Sequence, residues 1–210
     1  MSNGIAANDF ASAVEKYRIL RRPYRWRGFF YIPPLLVMPF CVWNEYENDF
    51  VIWPMGLLTV AMGLFIRIWA TRHIERRIPR RYKGNKGPRL VATGPYSIVR
   101  NPLYLGNLVI MMGLCILSEL LWLMPIVFAY LLSLFSLVVR YEEYKLSILF
   151  GREYEIYRQD VPRWIPRFSL IRSANNSDSA WSQALTGELQ SIGPASLMIL
   201  ILLIKEIVGP

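Results

Sequence analysis

This chain is poor in charge. Only 19% of its 210 residues are charged, 54% are hydrophobic, and the mean hydropathy is +0.28. A typical soluble domain is about a quarter charged, so a single polytopic membrane domain over residues 1–210 is expected instead. Cysteine is scarce as well. Cys41 and Cys115 both fall in apolar runs, without metal-ligand or disulfide spacing, and read as small buried hydrophobes. Histidine occurs once, as His73 at the end of an apolar run, and reads as an interface residue rather than a ligand or base. No metal site is expected. There is no G-x-G-x-x-G after a strand, no P-loop, no H-E-x-x-H and no C-x-x-C, so no soluble-enzyme signature competes. The N-terminal MSNGIAANDFASAVEKYRIL lacks a basic stretch followed by an apolar one, and no cleaved signal peptide is expected.

Acid is the scarcer sign, with 15 Asp and Glu against 24 Lys and Arg, a net charge of +9. Nucleic acid is not the expected partner. The basic residues sit in short loops beside apolar runs, where the positive-inside rule accounts for them. Segments 1–27, 71–100 and 140–172 hold 6, 9 and 7 Lys/Arg residues, while 44–50 and 118–119 hold none. The N-terminus and both large basic segments are therefore predicted to lie in the cytoplasm. The chain is expected in a bacterial cytoplasmic membrane, or in the endoplasmic reticulum of a eukaryote.

The apolar runs set the architecture. Residues 28–43 (GFFYIPPLLVMPFCVW) are broken by Pro33, Pro34 and Pro39, which predicts a kinked or tilted helix. Residues 51–70 form a second span, with Arg67 near its end, where its stem can snorkel to the interface. Residues 103–139 are apolar except at Ser118-Glu119. At about 1.5 Å per residue this exceeds one bilayer crossing, so a tight hairpin is predicted, 103–117 and 120–139. The stretch 173–192 is Ser/Asn-rich and reads as a linker. An apolar helix follows at 194–208, either a further span or a re-entrant piece. The expected fold class is all-α, with about five transmembrane helices.

Two polar stretches carry candidate chemistry. In GPYSIVRNPLYLGN (94–107), Asn101 is a good N-cap and Pro102 suits the first helical position. That pair reads either as a well-built helix start or as an anion site, because a helix N-terminus presents free N–H groups and partial positive charge. Arg100 adds a forked donor, and Tyr96 and Tyr104 supply flat faces for a purine or a cation. In RYEEYKLSILFGREYEIYRQDVPRWIP (140–166), Glu142, Leu146, Leu149 and Glu153 recur at helical spacing. Gly151 is expected to bend or break that helix, and Tyr154 and Tyr157 then share one face. The stretch reads as a membrane-surface helix or, because Glu142 and Glu143 adjoin an apolar span, as a functional site.

With LVATGPYSIVRNPLYLG and RYEEYKLSILFGREYEIYRQDVPRWIP separated by a hairpin, the chain resembles the integral membrane methyltransferases typified by isoprenylcysteine carboxyl methyltransferase and the phospholipid N-methyltransferases, over about residues 88–168. The resemblance implies S-adenosylmethionine as cofactor, a cytosol-facing pocket capped by the segment after the hairpin, and a lipid-like substrate reaching it from the bilayer. Carried over by position, it implies cofactor contacts from Leu90, Val91, Tyr96, Asn101, Pro102, Leu103, Tyr104 and Glu142. Three positions depart from the pattern. Asn101 stands where the family has histidine, Pro88 where the eukaryotic enzyme has another, and Val138 where a substrate-contacting arginine is expected, with Arg140 the nearest substitute.

The expected roles follow from sulfonium chemistry, in which the protein mainly orients donor and acceptor and excludes water. Arg100 and the Asn101-Pro102 helix start would hold the methionyl carboxylate, and Glu142 would accept hydrogen bonds from the ribose or amino group. A carboxylate acceptor needs no base. For an amine acceptor, Glu143 is the nearest proton acceptor. Two alternatives stand beside this reading: a membrane NADPH-dependent reductase of the sterol type, and a non-enzymatic membrane protein with a basic face for anionic lipids. The sequence carries no signal of oligomeric state.

Overall fold

A computed structural model of the protein describes residues 22–41, 49–74, 90–168 and 181–208. Every regular element among them is helical: α1 (Ile32–Val37), α2 (Asp49–His73), α3 (Pro95–Ile98), α4 (Pro102–Leu117), α5 (Met124–Phe150), α6 (Arg152–Asp160) and α7 (Trp181–Val208), with 3-10 turns at Arg27–Phe29 and Leu121–Leu123. Three helices are long and apolar enough to cross a membrane, Asp49–His73, Leu121–Phe150 and Trp181–Val208, and α4 is a shorter apolar helix. The protein is an all-α membrane protein. The proline-rich first run is broken as expected: α1 ends at Val37, just before Pro39, which has no N–H to continue the helix. The hairpin also forms as predicted, turning at Ser118-Glu119.

Apolar surface alone cannot drive helices together in lipid, so close backbone approach does. Helices α2 and α4 meet through glycines. A Cβ on Gly63 would lie 2.8 Å from the Gly106 carbonyl oxygen and 2.7 Å from the Ile110 nitrogen. Gly56 and Gly113 make the equivalent contact two turns away. Around this seam, Leu114, Leu131, Phe135 and Leu202 are buried from α4, α5 and α7. Leu58, Phe65, Leu197 and Ile204 remain exposed on the outside of the bundle, where lipid would cover them.

Side-chain contacts fix the helix directions. The carboxylates of Asp49, Glu119 and Glu206 lie within 4.8 Å of one another, so the start of α2, the α4–α5 turn and the end of α7 share one end of the bundle. At the other end the Arg72 guanidinium sits 4.4 Å over the Trp181 ring. That basic end gathers residues 90–104 and 140–168.

Two expectations are corrected here. Arg67 does not snorkel to an interface. It is buried, at 8% exposure, and pairs with Glu188. The stretch read as a linker is helical from Trp181 onward and runs without a break into the apolar run, through Gly193 and Pro194. The rest of that stretch, residues 173–180, and the centre of the basic loop, residues 75–89 with Pro88, lie outside the described residues.

Candidate functional site

The turn before α4 is built on Gly94. Its φ of +59° favours glycine, and a Cβ there would meet the His73 ring at 2.3 Å. His73 Nδ1 lies 2.8 Å from the Trp69 carbonyl oxygen, so the ring closes the end of α2 over the turn. Ser97 Oγ donates to the Gly94 carbonyl at 2.7 Å, and Val99 then leaves the turn in extended conformation.

Asn101 occupies the N-cap position of α4, and Pro102 is in its first turn. The capping expectation is corrected, because the Asn101 side chain makes no cap hydrogen bond. It turns the other way, and Nδ2 donates to the Arg163 carbonyl at 3.2 Å. Two backbone bonds strengthen this cross-connection, Arg100 N–H to the Pro162 carbonyl at 2.9 Å and Arg167 N–H to the Ile98 carbonyl at 3.0 Å. Residues 161–167 are thereby strapped across the start of α4.

The two motifs meet at two carboxylates. Tyr104 Oη donates to Glu142 Oε1 at 2.9 Å. Its ring packs 5.1 Å from Phe135, and Tyr31 lies 5.7 Å from the same ring. Glu143 is buried and faces two arginines. Arg163 Nε donates to its Oε1 at 3.0 Å, Arg163 Nη2 lies 2.5 Å from Oε2, and Arg100 Nη1 lies 3.1 Å from Oε1. Arg100 and Glu143, expected to serve ligand and proton, are thus engaged with each other. Arg140 is exposed and outside this network.

Gly151, at φ +51°, breaks the chain between α5 and α6, as the sequence predicts. Tyr154 and Tyr157 share one buried face of α6, with ring centroids 6.0 Å apart, and Leu90, Ala92 and Leu146 pack against them. Tyr157 Oη donates to the Tyr96 carbonyl at 2.7 Å, fixing the predicted turn tyrosine through its backbone. Burial, then the Glu143 charge, pushes the Tyr154 phenol up to about 12. Burial raises Tyr96 and Tyr157 as well, while the hydrogen bond to Glu143 raises Arg163. All three phenols remain neutral donors at physiological pH. Val91 is half-buried beside Leu90, which lines a cleft of about 220 Å³ with Ala92, Ser97, Tyr157 and Val161.

Sequence reading missed one further polar cluster. Glu188, 2% exposed on α7, accepts from Arg67 Nε at 2.8 Å and from the Thr71 hydroxyl. Arg67 Nη1 donates to Asn107 Oδ1 and, at 3.4 Å, to the Leu103 carbonyl. One signal was present, because Ala184, Glu188, Ala195, Met198 and Leu202 form a buried stripe at helical spacing.

Comparison with known proteins gives three findings. Residues 52–153 match the family described as phospholipid methyltransferase. The nickel-cobalt-cadmium resistance protein NccN of Alcaligenes xylosoxydans xylosoxydans is 31% identical over 156 residues, covering 69% of this chain and 69% of that protein. The cobalt-zinc-cadmium resistance protein CzcN of Cupriavidus metallidurans is 29% identical over 149 residues, covering 65% of each. No solved structure matches the chain.

Proposed function

The chain belongs to the phospholipid methyltransferase family, and from that premise we propose that it transfers a methyl group from S-adenosylmethionine to a lipid-like or membrane-associated acceptor. The observation that carries this reading is the Tyr104–Glu142 hydrogen bond at 2.9 Å. It joins the two sequence motifs across the hairpin, beside an aromatic wall of Tyr31, Tyr104 and Phe135.

The donor set suits the cofactor. A sulfonium is a cation, which aromatic faces and a carboxylate attract. The ribose and amino groups are donors, for which Glu142 is the acceptor. The first turn of α4 offers the backbone N–H groups of Leu103 and Tyr104 to a carboxylate. Bound S-adenosylmethionine supplies an already activated methyl group. The protein's own work is to hold, align and dry the site. The strap of residues 161–167, tied to 98–101, excludes water on the basic side. By the positive-inside rule this end faces the cytoplasm. Glu143, gripped by Arg100 and Arg163, serves as the latch of the strap and not as a proton acceptor. The test is binding of S-adenosylhomocysteine to purified protein in nanodiscs. Glu142→Ala and Tyr104→Ala are expected to weaken it, and unchanged affinity in both removes this site assignment. Binding of NADPH instead would favour a reductase.

The names of the two relatives tie them to nickel, cobalt, zinc and cadmium resistance. We infer that methylation by this chain serves membranes under the same stress. Deleting the gene should lower tolerance to these cations, and restoring Glu142→Ala in place of the native chain should not rescue it.

A further inference from the structure

Glu188, Arg67 and Thr71 belong to neither motif, and Glu188 lies outside the family match at 52–153. Its ions are fully occupied. Glu188 takes both Nε (2.8 Å) and Nη2 (2.7 Å) of Arg67, together with the Thr71 hydroxyl. Apolar residues of similar volume would avoid the desolvation cost of such a pair. A buried ionisable pair between two long apolar helices calls for a functional account.

The direction of the remaining contacts says which one. With its other nitrogens on Glu188, Arg67 aims Nη1 at the Leu103 carbonyl and the Asn107 side chain. These two residues bracket Tyr104 on the first turns of α4. Tyr104 is the residue that donates to Glu142. The Tyr31 hydroxyl also hydrogen-bonds the Asn107 side chain. Polar contacts thus run from α7 through α2 to α4, and the α4 residue between their two end points, Tyr104, makes the bond to α5. We propose that Glu188 is a positioning residue of the cofactor site: it holds Arg67 in the one orientation that clamps residues 103–107, and so keeps Tyr104 in register with Glu142. The identity of the ligand rests on the methyltransferase reading, whereas the coupling rests on the contacts themselves.

Two readouts on the full chain in nanodiscs separate these parts: S-adenosylhomocysteine affinity, and amide hydrogen exchange over residues 103–107. Glu188→Gln is expected to weaken binding at least tenfold and to speed exchange at 103–107 at least tenfold, with partial recovery in Glu188→Asp. Arg67→Lys retains the charge opposite Glu188 but loses the forked reach to α4. It is expected to speed the same amides, and so tests the proposal even if Glu188→Gln does not fold. Ile204→Ala, on the exposed outer face near the other end of α7, is expected to change neither readout. Affinity within twofold of the native protein in Glu188→Gln, with faster exchange confined to α7, would overturn the proposal and leave Glu188 a helix anchor. If the native protein does not bind S-adenosylhomocysteine, the methyltransferase reading fails, and exchange at 103–107 alone decides the coupling.

Discussion

Arg163 grips Glu143 at two points, with Nε 3.0 Å from Oε1 and Nη2 2.5 Å from Oε2. The pair joins the strap after α6 to the buried side of α5, and Arg100 completes it from the start of α4. Removing the carboxylate leaves two guanidiniums facing each other. Breaking a buried pair costs about 3–5 kcal/mol, and Arg163 is partly exposed. Glu143→Gln is therefore expected to lose about 2–3 kcal/mol of stability, read as a lower unfolding midpoint in detergent. Protease cleavage within 161–168 should increase in parallel.

Tyr104→Phe isolates one hydrogen bond, because the ring still packs on Phe135. A bond to a carboxylate is worth about 1.5–3 kcal/mol, so S-adenosylhomocysteine affinity is expected to fall about tenfold or more. If Tyr104 acts through Glu142, the double variant with Glu142→Gln falls little further than Glu142→Gln alone. Additive losses would separate the two residues.

The glycine seam predicts a different failure. A Cβ on Gly63 or Gly106 meets backbone oxygen of the other helix, at 2.8 or 2.9 Å, and a carbonyl cannot swing aside as a flexible side chain can. Gly63→Ala and Gly106→Ala are each expected to cost about 1–3 kcal/mol. By contrast, Gly151 has open space around its Cβ position and owes its role to a φ of +51°. Thermal unfolding of Gly63→Ala and Gly106→Ala in detergent checks the seam.

Much of this arrangement was legible in the sequence, for local reasons. An apolar run too long for one crossing and interrupted at Ser118-Glu119 has to be a hairpin. Gly151 and the Tyr154/Tyr157 spacing obey short-range rules, and the structure keeps both. The two motifs came together as the resemblance implied. What stayed hidden was long-range. Glu188 sits in a Ser/Asn-rich stretch that reads as solvated, and its partner Arg67 is 121 residues away. Nothing local marks such a pair except the buried stripe around Glu188. Asn101 failed in the opposite way. Its capping preference is real, but a tertiary acceptor, the Arg163 carbonyl, took the side chain.

Alkaline pH should release the region around α6 first. Burial and the Glu143 charge raise Tyr154 from its ordinary 10 to about 12, so the folded state holds this proton more tightly than the unfolded chain does. The stability from this group is fully present below about pH 10 and is lost as pH climbs toward 12. Amide exchange over 152–167 is expected to accelerate across that window. Tyr154→Phe should flatten the dependence.

Asn101 offers the sharpest test of the strap, because its amide links the start of α4 to the segment that covers it. Asn101→Asp keeps the size and the capping oxygen but replaces the Nδ2 donor with an acceptor facing the Arg163 carbonyl. Two acceptors then oppose each other in a site where Asn101 is only 9% exposed. The loss of the bond plus the unsatisfied group is worth about 1–3 kcal/mol. Asn101→His restores a ring N–H that can donate toward the same carbonyl. The expected order of stability and of S-adenosylhomocysteine affinity is Asn, then His, then Asp. If capping were the role of Asn101, Asp would serve as well as Asn, since both are strong N-cap residues. An Asp variant equal to the native protein would therefore assign Asn101 to the helix start and not to the strap.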